Sequence, residues 1–272
     1  MNLIKGFKIY SSFSKSEIKK YFAYKANIFM GIIGQVIMVI VTYYLWKAIY
    51  SSSQDGIMNG FTLNDMVIYI MISFVIVIAT SNDISYIISS EVRDGSIAMN
   101  LIKPINYEKR LIFIGIGQFI FNFIFLFMPA AIGITIYRIN IGLSITSTSI
   151  MLFLLSIVLG TMINIYYSYI FGLLVFKFYS LWGINQIAQA IVMLVSGALI
   201  PLSFFPDIIQ KLFNFLPFSS IIYIPAMIYL NKLPSNEIIK CLLLQLFWIF
   251  VLKVLSRLMW NKVIDKLSIQ GG

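Results

Sequence analysis

Six long apolar runs, at about 28–49, 66–88, 111–137, 150–176, 184–204 and 238–260, divide this chain, with short polar stretches between them. A helix needs roughly 20 predominantly apolar residues to cross a bilayer, so the pattern predicts an all-α polytopic membrane protein, one transmembrane domain over 1–272. Residues 1–27 are patterned differently. Leu3, Phe7, Tyr10, Ile18 and Tyr21 recur at helical spacing among Lys5, Lys8, Lys15, Lys19, Lys20 and Lys25, which predicts an amphipathic helix lying in the interface, the plainer alternative being a basic tail that only sets orientation. Ser14 and Glu17 have the Ser-x-x-Glu spacing of a capping box, so a break near Ser11–Ser14 and a fresh helical start about Lys15 are expected.

Two stretches depart from the simple alternation. Residues 89–110 are polar and carry Arg93, Lys103, Lys109 and Arg110. Within them Glu91 to Lys103 predicts a short surface helix, with Ile97 and Leu101 on one face at i,i+4 spacing and Pro104 stopping it. Residues 205–237 are too apolar for a free loop yet are cut by proline at 206, 217, 225 and 234, with Pro201 just before them. The pieces are shorter than a span, which predicts half-helices dipping into the membrane, the alternative being a seventh span broken by prolines. Asp207 is placed to cap one of them, with Ile208, Ile209, Leu212 and Phe213 on a common face.

Composition narrows the function classes. The 272 residues are 60% hydrophobic and 11% charged, with a mean hydropathy of +0.92, against about 25% charged for an ordinary soluble domain. Six spans and their loops use up the length and leave no room for a soluble catalytic domain. The first run is preceded by a lysine-rich segment and followed by further spans, so it is expected to act as the insertion signal with no cleaved leader. With no histidine and one cysteine, Cys241, an internal disulfide is excluded and metal or histidine-based catalysis is disfavoured. The net charge of +10 sits where anionic lipid headgroups would be and does not call for a nucleic-acid partner. Fifteen of the 20 Lys and Arg fall in the N-terminal tail, the 89–110 loop, the Lys177 turn and the C-terminal end. By the positive-inside rule both termini are expected in the cytoplasm of a bacterial cell, with Asp207 to Lys232 outside.

The motif Glu91-Val-Arg93-x-Gly95, followed by Leu101-x-Lys103-Pro104-Ile105, resembles the cytosolic loop of ABC-2 type exporter permeases, in particular the antibiotic- and viologen-exporter branch. A second likeness is Gly197-x-x-x-Pro201-x-x-x-x-Pro206 with Leu216-Pro217-Phe218 following. The resemblance covers essentially the whole chain. It implies a permease that exports a small molecule, antibiotic or peptide, works with a second permease, the same or related, and docks on two cytosolic ATPase subunits. Glu91, Arg93, Gly95, Ile97, Leu101, Lys103 and Pro104 would then form the coupling helix on the ATPase, and Gly197, Pro201, Pro206 and Pro217 part of an outer gate. An ordinary charged loop is the alternative for 89–110.

The chain carries no Gly-x-x-x-x-Gly-Lys-Ser/Thr phosphate loop, so ATP and Mg would be bound by the partner and no cofactor by this chain. Paired intramembrane carboxylates, which ion coupling would want, are missing. Asp83 alone lies within a predicted span, read as a snorkelling carboxylate paired with a cytoplasmic base or, alternatively, as a proton relay. Uncharged polar residues inside spans mark either a wet path or interhelical contacts. Gln118, Asn122, Asn164, Tyr167, Gln186 and Gln189 are the candidates for a substrate path; Gln35 and Asn185 belong to the same polar set. An ion-coupled secondary transporter and a non-transporting scaffold or immunity protein remain the other classes open to the sequence.

Overall fold

The structure, a computed structural model, describes the backbone of residues 3–23, 25–52, 56–178 and 182–270, and side chains within these from 7 to 23, 29 to 52, 56 to 178 and 182 to 264. The side chains of Leu3, Lys5, Lys25 and Lys266 lie outside the described residues. In chain order the helices are α1 (Leu3–Ala23), α2 (Lys25–Ser51), α3 (Leu63–Thr80), α4 (Ile84–Arg93), α5 (Ser96–Leu101), α6 (Tyr107–Asn122), α7 (Met128–Asn140), α8 (Ser147–Gly172), α9 (Trp182–Val195), α10 (Asp207–Phe215), α11 (Tyr223–Tyr229) and α12 (Ser235–Gln270). A two-stranded hairpin, β1 (Ile57–Met58) and β2 (Phe61–Thr62), turns at Asn59 and Gly60, both at positive φ as a type I′ turn requires.

Five helical units are long and apolar enough to cross a membrane: Phe29–Ser51, Leu63–Arg93, Tyr107–Asn140, Ser147–Phe176 and Ser235–Ile264. The chain is an all-α polytopic membrane protein. The last four units have 30 to 34 residues, hence a length of about 45 Å at about 1.5 Å per residue, against a hydrocarbon core of about 30 Å. They therefore project beyond it.

Two apolar cores lie one above the other along these helices. The larger gathers Tyr69, Ile72, Phe127, Phe153, Leu202 and Ile228 around α3, which is apolar all round and buried. The smaller gathers Ile84, Ile88, Ile97, Leu111, Ile165 and Tyr169. Between them runs a polar tier of Glu17, Asp83, Gln118, Asn122 and Asn164.

Several elements differ from the sequence expectation. The second run is not one helix: α3 ends at Thr80, Ser81 is extended (φ −60°, ψ 142°), and α4 begins at Ile84. The third starts at Tyr107 and carries a π-turn over Phe123–Phe127 before α7. Pro129 there lacks the N–H that would bond the Phe125 carbonyl, so the helix widens. The fifth run is helical only to Val195, short of 204, because Gly197 takes a left-handed φ of +77° and Pro201 follows. Glu91–Lys103 is not one helix either. Gly95 at φ +75° separates α4 from the six-residue α5.

The expected break at Ser11–Ser14 is absent, since α1 is continuous. Ser14 does not cap; its hydroxyl donates to the Phe113 carbonyl of α6. That approach needs Gly117, where an added Cβ would lie 2.6 Å from the Ser14 carbonyl oxygen. Likewise Asp207 is the first residue of α10, whose N-cap position is Pro206, and makes no capping hydrogen bond. Nor do the four apolar residues of α10 act alike: Ile208 and Leu212 are exposed, whereas Phe213 packs on Phe205.

The two ends of the bundle are distinct. At one, the Asn106 N–H donates to the Tyr10 hydroxyl (2.9 Å) and Tyr107 stacks on Trp260 (4.8 Å), so α1 and the distal part of α12 meet there. At the other, Lys232 Nζ donates to the Gly60 carbonyl (2.7 Å) and to Asp65 Oδ2 (2.9 Å), which also completes a capping box with Thr62.

Candidate functional site

Two features are candidates for function: the tip at the Tyr107 end, and a cleft that runs from it into the bundle. The tip is braced from inside. Glu91, in the last turn of α4, accepts from Arg110 Nη2 with both oxygens (2.7 Å each) and from the Tyr107 hydroxyl (2.7 Å). Glu108 accepts from the Ser256 hydroxyl of α12 (2.6 Å). Three elements, α4, α6 and α12, are thus clamped through neighbouring residues of α6. Glu91 was expected to orient a docked partner beside Arg93, but the structure commits it inward, because Arg110 is itself buried and must be paired.

Arg93 is exposed and makes no ion pair among the described residues. Asp94 Oδ1 accepts from the Ser96 N–H (2.9 Å), which fixes the turn at Gly95, and the Ser96 hydroxyl together with that N–H holds its carboxyl below the usual carboxylate range. Ile97 and Leu101 do share a face of α5, as their spacing predicts, but that face packs onto the smaller core. The outward apolar side chains are Met99 (66% exposed) and Ile102 (82%), which sequence reasoning missed. Lys103 is exposed and donates to Asn100 Oδ1 (2.8 Å), and Pro104 ends the tip in the open.

The polar tier closes the interruption between α3 and α4. A helix end leaves four carbonyls without partners, and in an apolar surround each unpaired group is costly. Asn122 Nδ2 donates to the Ile78 carbonyl (3.1 Å) and to the Ser81 hydroxyl (3.2 Å). Asn164 Nδ2 donates to the Thr80 carbonyl (2.8 Å), and Gln118 Oε1 accepts from the Asp83 N–H (3.0 Å). Gln118 Nε2 also donates to Glu17 Oε1 (3.0 Å), which accepts from Lys20 Nζ at 3.0 Å. Three of the six path candidates are therefore engaged with protein. The snorkelling reading of Asp83 changes too, since its oxygen lies 3.4 Å from Gln118 and no base among the described residues is within bonding distance of it.

Beside this interruption a cleft opens between α3, α4, α8 and α9. One section of about 230 Å³ is lined by Ser81, Asn82, Asn164, Tyr167, Asn185 and Gln189 among others. A second, of about 260 Å³, shares Ser85, Phe171 and Asn185 with it and reaches Tyr86, Trp182 and Arg93 at the tip. Gln186 is exposed and lines neither section.

At the opposite end, the Gly197 carbonyl accepts from the buried Tyr69 hydroxyl, and Tyr223 N–H donates to the Ser196 carbonyl (3.1 Å). Pro201 and Pro217 are buried and Pro206 is exposed. Arg138, counted by sequence as a loop charge, is 4% exposed and donates to the carbonyls of Tyr229 and Ser144. Gln245, fully buried in α12, donates to the Ser220 carbonyl (2.7 Å) and to Ser156. An amide inside an apolar run was its signal, the same one that marked Gln118. No group of three or more potential metal ligands occurs among the described residues.

The sequence signature of the ABC-2 family transporter proteins matches residues 36–271. The chain belongs to that family. No curated protein matches it. As an ABC-2 family member it is a membrane subunit of a transporter, and the match takes in the tip, the cleft and the proline-cut segment while beginning after α1.

Proposed function

We propose that this ABC-2 protein is the permease subunit of an ATP-driven exporter, coupled to a separate ATPase through the tip formed by α5. Six spans, α9 being a short fifth, place both termini on the cytoplasmic side with the tip. In support of an even number of crossings, α1 and the distal part of α12 each contact the Asn106–Tyr107 segment at the same end. ATP and Mg belong to the partner, two copies of which serve a pair of permeases. Gly197, Pro201, Pro206 and Pro217 shape the irregular outer segment expected of a gate.

The observation that carries the reading is the pair Met99 and Ile102, apolar and exposed on a braced turn beside Arg93, which is exposed and makes no ion pair among the described residues. Exposed apolar side chains at the most polar end of a membrane protein call for a protein partner. Arg93 then orients the contact, and Gly95 permits the turn. The test is co-purification of a co-expressed ABC ATPase with the tagged chain. Met99→Glu with Ile102→Glu, and separately Arg93→Glu, are expected to abolish it while membrane insertion is kept. Lys109→Glu, an equal charge change beyond the tip, is expected to leave it intact. Equal behaviour of all three would reduce the tip to a charged surface loop.

A further inference from the structure

The cleft has a charge character that narrows what it can hold. Its hydrogen-bonding side chains, Ser81, Asn82, Ser85, Asn164, Asn185 and Gln189, are all neutral, and no carboxylate lines either section. The one formal charge on its walls is Arg93, at the tip end. The nearby Glu17 and Asp83 are turned to α1 and α6, where Lys20 and Gln118 engage them. Asn82 adds a direction. Its Oδ1 accepts from the Ile84 N–H (3.3 Å), while its Nδ2 is buried with no partner among the described residues. A buried donor left unpaired is costly, so the site favours an occupant that brings acceptor oxygens. The remaining walls, such as Val77, Phe171, Val192 and Ile222, are apolar.

A cation entering this cleft would lose water and meet no countercharge, whereas an anion would meet Arg93 and a row of amide donors. We propose that the cleft binds an amphiphile with an anionic, oxygen-rich head, a carboxylate or phosphate, and rejects cationic amphiphiles of the same size. The head sits at Asn82 among the neighbouring Asn185 and Gln189 amides, with Arg93 a helix length away at the tip end favouring entry of an anion, and the tail lies along the apolar walls toward Ile222. This deepens the export reading above, since it names the class of cargo for the same protein. The same chemistry describes a membrane phospholipid and a dissolved amphiphile.

The test uses the full chain, without ATPase, in phosphatidylcholine nanodiscs. Two probes of equal chain length are compared, dansylundecanoate and a dansylundecyl trimethylammonium, with energy transfer from Trp182, which is 73% exposed at the mouth. Trp182→Phe identifies the signal that belongs to the cleft. The carboxylate probe is expected to bind at least about tenfold tighter than the cation, as one uncompensated charge in a partly dry site requires. Asn82→Asp is expected to erase or invert that preference. Gln189→Glu, on the loosely packed α9, does the same without touching the α3–α4 interruption, so a folding failure of the first variant leaves the test standing. Equal or tighter binding of the cation by the unaltered chain, or an unchanged preference in Gln189→Glu, would overturn the proposal. Competition by phosphatidylglycerol in the disc would make the occupant a lipid, and its absence a dissolved amphiphile; both support the anionic head. Binding here is read without any ATPase, so it stands or falls independently of docking at Met99 and Ile102.

Discussion

Removing Glu91 should destabilise this protein without any partner being present. The carboxylate is only 12% exposed and Arg110 10%, and two charged hydrogen bonds of 2.7 Å join them, with a third from Tyr107. Glu91→Ala leaves the guanidinium buried without its counterion, which for buried pairs costs about 3–5 kcal/mol. Arg110 keeps one favourable neighbour, the Tyr107 ring 5.0 Å from its guanidinium carbon, so the lower end, about 3 kcal/mol, is the expected loss. Reversible unfolding of the purified chain by titration with dodecyl sulfate measures it. The double variant Glu91→Ala, Arg110→Met should recover at least about 1 kcal/mol, because the cost lies in the orphaned charge and not in the missing bond. Arg93→Glu, two residues away and exposed, should stay within about 0.5 kcal/mol of the unaltered chain. A loss below about 1 kcal/mol for Glu91→Ala would place the pair with ordinary surface ion pairs and return Glu91 to the set available for docking.

Two further outcomes are expected. In a Cys241→Ser background, a cysteine at Lys211 should react with an impermeant maleimide in intact cells and one at Lys262 should not, the reverse pattern refuting the proposed orientation. Gly117→Val should push α1 off α6, since its Cβ would lie 2.6–2.7 Å from Ser14 backbone atoms, whereas Gly133→Val, with nothing within 4 Å, should not; trypsin cleavage at Lys15 and Lys19 in inverted membrane vesicles should be at least about tenfold faster in the first variant only, following the population of the open state.

The class of the protein was legible along the chain because hydrocarbon imposes a local rule. Every residue of a span must be apolar or find a partner, so long apolar runs mark the helices, and glycine and proline at 95, 104, 197 and 201 mark where they stop. The tip loop and the proline-cut segment carry the family's likeness for the same reason, their turn residues being fixed by backbone conformation and not by distant contacts. The Asn59-Gly60 hairpin was equally open to reading. Facing was not. Ile97 and Leu101 share a helix face in any arrangement, but whether that face turns to a partner or to the core depends on Ile88 and Tyr107, which sequence spacing does not bring near. Met99 and Ile102 became the exposed pair only once that face was docked. In the same way an amide in an apolar run announces that it needs a partner without saying which. Asn122 and Asn164 found theirs in carbonyls freed by an interruption in α3–α4, about 40 and 80 residues earlier. That interruption has no proline or glycine in it; the Ser81-Asn82-Asp83 run favours a turn locally, as Asn82 shows in accepting from the Ile84 N–H, but the freed carbonyls are satisfied by neighbouring helices, which only the packed bundle supplies.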